Sequence, residues 1–216
     1  MRPAGGGFPA LPLAKNNHVS LDPEAIVRLP DGGYFISDEY GPYIYRFAAD
    51  GKMLTAIRPP DAFIPLRKGS QNFSSNNPGP GAAKPDPVNP EMGRQNNQGF
   101  EGMSVTPDGS HLVVLLQSAT RQDGGDAPAT RRHTRMLSYD IRVANQARLD
   151  AEYVVPLPVF EAGSAKLVAA QSELVALGSN TEPCVPDSAP PACTAIGRSV
   201  ALPRPMNLAR SVSYET

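Results

Sequence analysis

The sequence has no tryptophan, and aromatic residues make up only 6% of it, so any core must be aliphatic and modest. Two cysteines in 216 residues exclude a disulfide-dense scaffold. Neither sign of charge dominates: 20 Lys and Arg stand against 21 Asp and Glu. That balance removes the electrostatic case for nucleic acid or an anionic membrane surface as partner. No apolar run comes near the roughly 18 residues that a bilayer span requires, so no membrane span is expected. The opening Met1-Arg2-Pro3-Ala4-Gly5-Gly6-Gly7 has one Arg and no apolar stretch behind it, so the chain as written shows no signal peptide. There is no P-loop, no dinucleotide fingerprint and no G-x-S-x-G elbow. His18, His111 and His133 lack zinc-ligand spacing.

Turn-forming residues are abundant instead. There are 24 Pro and 19 Gly, against an average of about 12% for the pair, so turns or irregular stretches must recur along the chain. At roughly 150 residues per domain, the length fits one domain or one and a half.

Residues 1–16 are Gly, Pro, Ala and Leu without periodicity and read as a loose, disordered arm. From Glu24 short apolar or alternating runs appear: Ile26-Val27-Arg28-Leu29, Tyr34-Phe35-Ile36-Ser37, Tyr43-Ile44-Tyr45-Arg46-Phe47 and Met53-Leu54-Thr55-Ala56-Ile57. Tight turns such as Pro30-Asp31-Gly32-Gly33 and Ala49-Asp50-Gly51-Lys52 separate them. This is a four-stranded meander, because a helix here would have to absorb Pro and Gly every few residues. Residues 59–98 are rich in Pro, Asn, Ser and Gly and show no period. They read as a functional lid or as an insertion ordered at its ends.

The meander restarts with Gly102-Met103-Ser104-Val105-Thr106 and His111-Leu112-Val113-Val114-Leu115-Leu116, the latter apolar enough to be buried on both faces. After a polar loop, Arg135-Met136-Leu137-Ser138-Tyr139 and Ala151-Glu152-Tyr153-Val154-Val155 complete the second set. Glu24 stands six residues before Pro30-Asp31-Gly32, and Glu101 stands six before Pro107-Asp108-Gly109. Four-stranded units repeated in this way predict an all-β fold, a partial β-propeller of two blades. A third unit opens at residues 166–174 and again carries a Glu, Glu173. The propeller portion covers 17–178; beyond it, 179–216 hold six prolines, both cysteines and no strand pattern, and read as an irregular tail.

Several segments in this order resemble the phytase-like family, named for the esterase-like activity of phytase, and most of all its fungal members. They are Asp22-Pro23-Glu24-Ala25-Ile26-Val27, residues 31–42 with Asp38-Glu39-Tyr40-Gly41-Pro42, Asn96-Asn97-Gln98-Gly99-Phe100-Glu101-Gly102, Leu115-Leu116-Gln117-Ser118, Arg135-Met136-Leu137-Ser138-Tyr139-Asp140 and Ala169-Ala170-Gln171-Ser172-Glu173. The resemblance covers about residues 17 to 175. It implies a propeller-like all-β domain in a secreted, extracellular protein that is a monomer when complete. It also implies hydrolysis of a small-molecule ester or phosphoester. Family members carry propeller sequence on both sides of this part. The chain therefore reads as a partial gene model, lacking a 5′ exon, with a frame change or retained intron near codon 174 that leaves 179–216 out of frame. Two blades and part of a third cannot close a propeller, so the fragment is expected to be poorly stable and inactive.

Candidate chemistry centres on carboxylates. Glu24, Glu101 and Glu173 recur at equivalent repeat positions, which in a propeller lie on a ring. Three roles fit such a ring: hard oxygen ligands for Ca²⁺, general acid or base, or hydrogen bonding to the backbone of a neighbouring blade. Asp38 and Glu39 place two carboxylates at a strand end, either as a site or as turn-capping groups. The candidate catalytic set is Glu101, Glu39 and Asp38. Asn97, with Asn96 and Gln98, is a candidate ligand-orienting group or a turn residue. Arg121, Arg131, Arg132, His133 and Arg135 form a basic loop that is either solvated or phosphate-binding, with Arg135 the candidate substrate ligand. Two functions remain open: a hydrolase of esters or phosphoesters, with Ca²⁺ as its cofactor, and a non-catalytic propeller that binds a ligand or partner at its rim.

Overall fold

The structure is a computed structural model and describes residues 21–78, 83–143 and 145–177. The expected arm over 1–16 and tail over 179–216, with Cys184 and Cys193, lie outside the described residues.

Two four-stranded antiparallel meanders dominate. The first runs β1 (Pro23–Arg28), β2 (Tyr34–Asp38), β3 (Ile44–Phe47) and β4 (Met53–Ile57), paired in that order. A short hairpin, β5 (Leu66–Arg67) and β6 (Ser70–Gln71), follows. The second meander is β7 (Phe100–Val105), β8 (His111–Leu116), β9 (His133–Asp140) and β10 (Arg148–Pro156), again paired in sequence order. A last hairpin joins β11 (Val159–Ala162) to β12 (Ala165–Val168). The described residues form an all-β fold of antiparallel sheets with only two 3-10 turns and no closed barrel. No helix among them is long and apolar enough to cross a membrane.

The two meanders open on matching turns. In the first, Gly32 adopts φ +83°, and the Asp31 carboxylate accepts the Gly33 N–H at 2.9 Å. In the second, Gly109 adopts φ +70°, and Asp108 accepts the Ser110 N–H at 3.1 Å. A Pro-Asp-Gly sequence suits this geometry, since Pro presets φ, Asp bonds the backbone two residues on and Gly tolerates positive φ.

The alternation then sets the layers. Phe35 and Ile44 of the first sheet meet Phe100, Met103, Leu112, Val114, Leu116, Leu137 and Tyr139 of the second in one buried cluster. β8 is covered on both sides: Val113 and Leu115 face a second cluster with Met136, Val155, Leu174 and Ala176. Tyr43, Tyr45 and Phe47 share one face, as their spacing predicts, and pack with Ile64 and Phe73. The edge strands β1 and β7 lie against each other, which brings the equivalent ends of the two repeats together.

Residues 59–78 and 83–98, the described parts of the Pro-rich segment, carry short elements of their own. A 3-10 turn, Asp61–Phe63, and the β5–β6 hairpin put Phe63, Ile64 and Phe73 into the core. Two buried arginines replace a ladder. Arg67 donates to the carbonyl oxygens of Pro87, Val88 and Asn72 and to the Asn96 side chain. Arg94 donates to the carbonyls of Tyr40 and Gln95. Backbone carbonyls that an irregular path leaves unpaired must find donors when buried, and a guanidinium supplies several in a fixed fork.

The third unit also differs. Its strand ends at Val168, and residues 169–177 run without a ladder across the second sheet. Gln171 donates its backbone N–H to the Gln117 carbonyl at 3.2 Å and its side-chain amide to the Leu115 carbonyl at 3.1 Å.

Candidate functional site

Five carboxylates gather where β1 meets β7. Asp22 and Glu24 flank Pro23 at the start of β1, Asp38 ends β2, Glu39 follows it, and Glu101 is the second residue of β7. The antiparallel turn of the first meander returns the end of β2 to the start of β1, with Pro23 opposite Asp38. The β1–β7 contact then adds Glu101 from the second sheet.

Asp38 and Glu39 are neighbours in sequence with different surroundings. Asp38 is fully buried, and its Oδ1 accepts the backbone N–H groups of Asp22 at 3.0 Å and Tyr40 at 2.9 Å. Its Oδ2 accepts the Tyr45 hydroxyl at 3.4 Å. Burial pushes its pKa up to about 7, even though backbone N–H groups pull the other way. Glu39 is 3% exposed, and its Oε1 has no hydrogen-bond partner among the described residues. Burial first, and then the charges of Glu101, Glu24 and Asp22, raise its pKa.

Glu101 is also buried, and the Gln117 side-chain amide donates to its Oε1. Burial and the nearby Glu24 raise its pKa. Glu24 and Glu39 both lie within hydrogen-bonding range of it. Glu24 itself is exposed on the surface, and partial desolvation and the Asp22 charge raise its pKa. Oxygens of Asp22, Glu24 and Glu39 all lie within 4.8 Å of one another.

Gly99 makes this approach possible. A Cβ there would sit 2.1 Å from the Glu39 carbonyl oxygen, so no larger residue fits without moving one of the two segments. Arg94 backs the group: its guanidinium lies 5.9 Å from the Tyr40 ring centre and grips the Tyr40 carbonyl, which fixes the chain just after Glu39.

The other sequence candidates lie differently. Glu173 is exposed, and its carboxylate turns back to accept the Leu174 N–H at 2.9 Å, outside the group. Asn97 is exposed at φ +50°, inside a tight turn bridged by Gln95 and Gln98. Arg135 pairs with Asp123 at 2.8 Å and with Glu152, so both ends of its fork are engaged. Arg121 pairs with Asp126 at 2.7 Å. Arg131 has no carboxylate partner among the described residues; it donates to Gln98 at 3.3 Å, and its Nε is buried without a partner. Gln98 also accepts from Ser118, the neighbour of Gln117. A cavity of about 260 Å³ at the far end of β1, lined by Leu29, Asp31, Phe35, Arg46, Ile57 and Arg142, holds none of the clustered carboxylates.

Asp22, Gln117 and Arg94 were not among the sequence candidates for the site, and Arg131 entered only as one member of the basic loop. Asp22 carried a signal, since in an extended segment residues i and i+2 share a face and Asp22 stands two before Glu24. Gln117 stood only within a segment that carries the family resemblance, and Arg94 carried no signal, because their partners are distant in sequence.

The chain matches the family model described as Phytase-like, Esterase-like activity of phytase, over residues 9–182. It is 43% identical over 188 residues to an uncharacterized secreted protein of Arthroderma benhamiae (strain ATCC MYA-4681 / CBS 112371). That match covers 78% of this chain and 36% of the relative, so the chain spans about a third of the length of the curated relative it matches. No solved structure matches it.

Proposed function

The chain belongs to the phytase-like family, and from that premise we propose that it is the carboxylate-bearing part of a secreted hydrolase of esters or phosphoesters. The two meanders are taken as consecutive blades of a propeller, with β1 and β7 as their innermost strands. What supports this is the repetition of a four-stranded meander with the two first strands in contact. A relative described as secreted supports an extracellular setting.

The observation that carries the hydrolase reading is the convergence of Glu101 and Glu39 from different sheets, with Gln117 orienting Glu101. In this reading Glu101 is the general base. It removes a proton from a water whose oxygen bonds to the carbonyl carbon or phosphorus. The bond to the leaving oxygen breaks, and Glu101 returns the proton to that oxygen, so the alcohol leaves neutral. With a phosphoester, Arg131 supplies a guanidinium for the anionic oxygens, since it has no carboxylate partner among the described residues and its Gln98 contact leads to Ser118, beside Gln117.

The test is turnover of an aryl ester and an aryl phosphate by the full-length protein and its Glu101→Gln variant, with folding followed by circular dichroism. Loss of about 100-fold or more in turnover with the fold intact supports the reading. Unchanged turnover in the variant overturns it. So does binding of the ester or phosphate without turnover by the unaltered protein, which is the behaviour of a ligand-binding propeller.

A further inference from the structure

We propose that Asp22, Glu24 and Glu39 form a binding site for a divalent cation of the hard, oxygen-liganded class, with Ca²⁺ as its occupant. The three side chains come from two points fixed against each other, the start of β1 and the residue after β2. Each offers a carboxylate oxygen, and these oxygens lie within 4.8 Å of one another. A cation with metal–oxygen bonds of about 2.3–2.6 Å bridges donors at that spacing.

Carboxylates crowd together on many protein surfaces without holding an ion. Glu39 separates this group from such cases. Its side chain is 3% exposed, its Oε1 has no hydrogen-bond partner among the described residues, and its near neighbours are other carboxylates. A buried anionic oxygen without a donor is costly, and it is satisfied either by a proton or by a cation. Protein cations do not fill the role. Among the described residues no Lys or Arg forms an ion pair with Asp22, Glu24 or Glu39. Arg94, the cation buried behind them, directs its donors at the carbonyls of Tyr40 and Gln95.

The donor set selects the ion class. Oxygen ligands without His or Cys suit Ca²⁺, Mg²⁺ or Mn²⁺ and disfavour Zn²⁺ and Cu²⁺. Ca²⁺ completes its shell with backbone carbonyls and waters and tolerates irregular geometry, as ligands from two strand ends would present. Exposed Glu24 and half-buried Asp22 leave the ion a way in from solvent. The ligand set differs from a ring of repeat-equivalent glutamates: Asp22 enters it and Glu173 does not.

The site shares Glu39 with the proposed hydrolase centre but is independent of turnover, and the experiment reads binding alone. The thermal midpoint of the full-length protein is measured in chelator, in excess Ca²⁺ and in excess Mg²⁺, and Ca²⁺ binding is followed by titration calorimetry. Variants Glu39→Gln and Glu24→Gln are compared. Glu24 is exposed, so its substitution leaves the fold in place. The expected result is a rise in midpoint of several degrees with Ca²⁺ and a smaller one with Mg²⁺, with Ca²⁺ affinity falling at least tenfold in each variant. No Ca²⁺-dependent shift in the unaltered protein, or one that survives in both variants, overturns the site. An inactive protein that still binds Ca²⁺ at these residues would retire the hydrolase reading and leave the metal site standing.

Discussion

Asp22 and Asp38 hold each other in a reciprocal clasp. The Asp38 carboxylate accepts the Asp22 backbone N–H at 3.0 Å, and the Asp22 carbonyl accepts the N–H of Glu39, the residue after Asp38, at 2.9 Å. The clasp closes the open end of the β1–β2 hairpin, where the register shifts between Pro23 and Ile26. It also sets where Asp22, Glu24 and Glu39 stand, so one buried carboxylate positions three others.

Removing the clasp should therefore cost stability and scatter the group. Asp38→Ala leaves the backbone N–H groups of Asp22 and Tyr40 without this acceptor. The expected loss is about 2–4 kcal/mol, since each buried donor left unpaired costs about 1–3 kcal/mol and partial relaxation recovers some of it. Asp38→Asn keeps an acceptor oxygen and should lose less than half as much. Urea unfolding of the two variants checks this; equal losses would mean that the hydrogen bonds are not the cause.

Gly99 is the tightest backbone approach at the site. Gly99→Ala puts a methyl group 2.1 Å from the Glu39 carbonyl oxygen, far inside contact distance, so backbone must move. A destabilisation of about 1–3 kcal/mol is expected, typical of overpacking. The shift of the Gly99 segment should also pull Glu101 away from Glu39. An alanine variant with an unchanged unfolding midpoint would show that the two segments are not in this contact.

Arg94 tests the packing of the irregular segment. It is 1% exposed and ties residues 94–95 to Tyr40 across 54 positions of sequence. Arg94→Met keeps much of the volume and removes every side-chain donor. The expected cost is about 2–4 kcal/mol, because a buried carbonyl loses charge-assisted bonds of about 1.5–3 kcal/mol. Limited proteolysis should then cut within residues 59–98 faster than in the unaltered protein. Equal cutting rates would contradict the role given to this arginine.

The carboxylate group also sets a pH dependence for the protein in chelator. Folding raises the pKa of Asp38 from 3.8 to about 7, and those of Glu39 and Glu101 upward from 4.5. A raised acid favours folding fully below its unfolded pKa, because both states then carry the proton. As pH rises the unfolded state ionises first, and that advantage is lost until the folded group ionises as well. The metal-free protein should therefore lose thermal stability from about pH 4 to about pH 7 and beyond. Glu39→Gln should flatten the slope. Stability that rises over this range would show that the group is paired rather than crowded.

Much of this architecture is local chemistry, and the sequence alone determined it. Alternation of apolar residues set the eight strands of the two meanders. The Pro-Asp-Gly turns at residues 30–32 and 107–109 set the joints, and the spacing from Glu24 and Glu101 to those turns marked the two units as equivalent. Strand periodicity and turn conformation depend on residues a few positions apart, so they are legible without a fold. Tertiary structure decided everything that depends on distant partners. It filled Asp38 with donors and left Glu39 Oε1 without one among the described residues, though the two are adjacent. It engaged Arg135 with two carboxylates and left Arg131 without any among the described residues. It tied the described parts of a Pro-rich segment in place by burying Arg67 and Arg94, and it brought Asp22 into the group in place of Glu173. Burial and charge pairing are sums over neighbours in space, and those neighbours are fixed only when the sheets have packed.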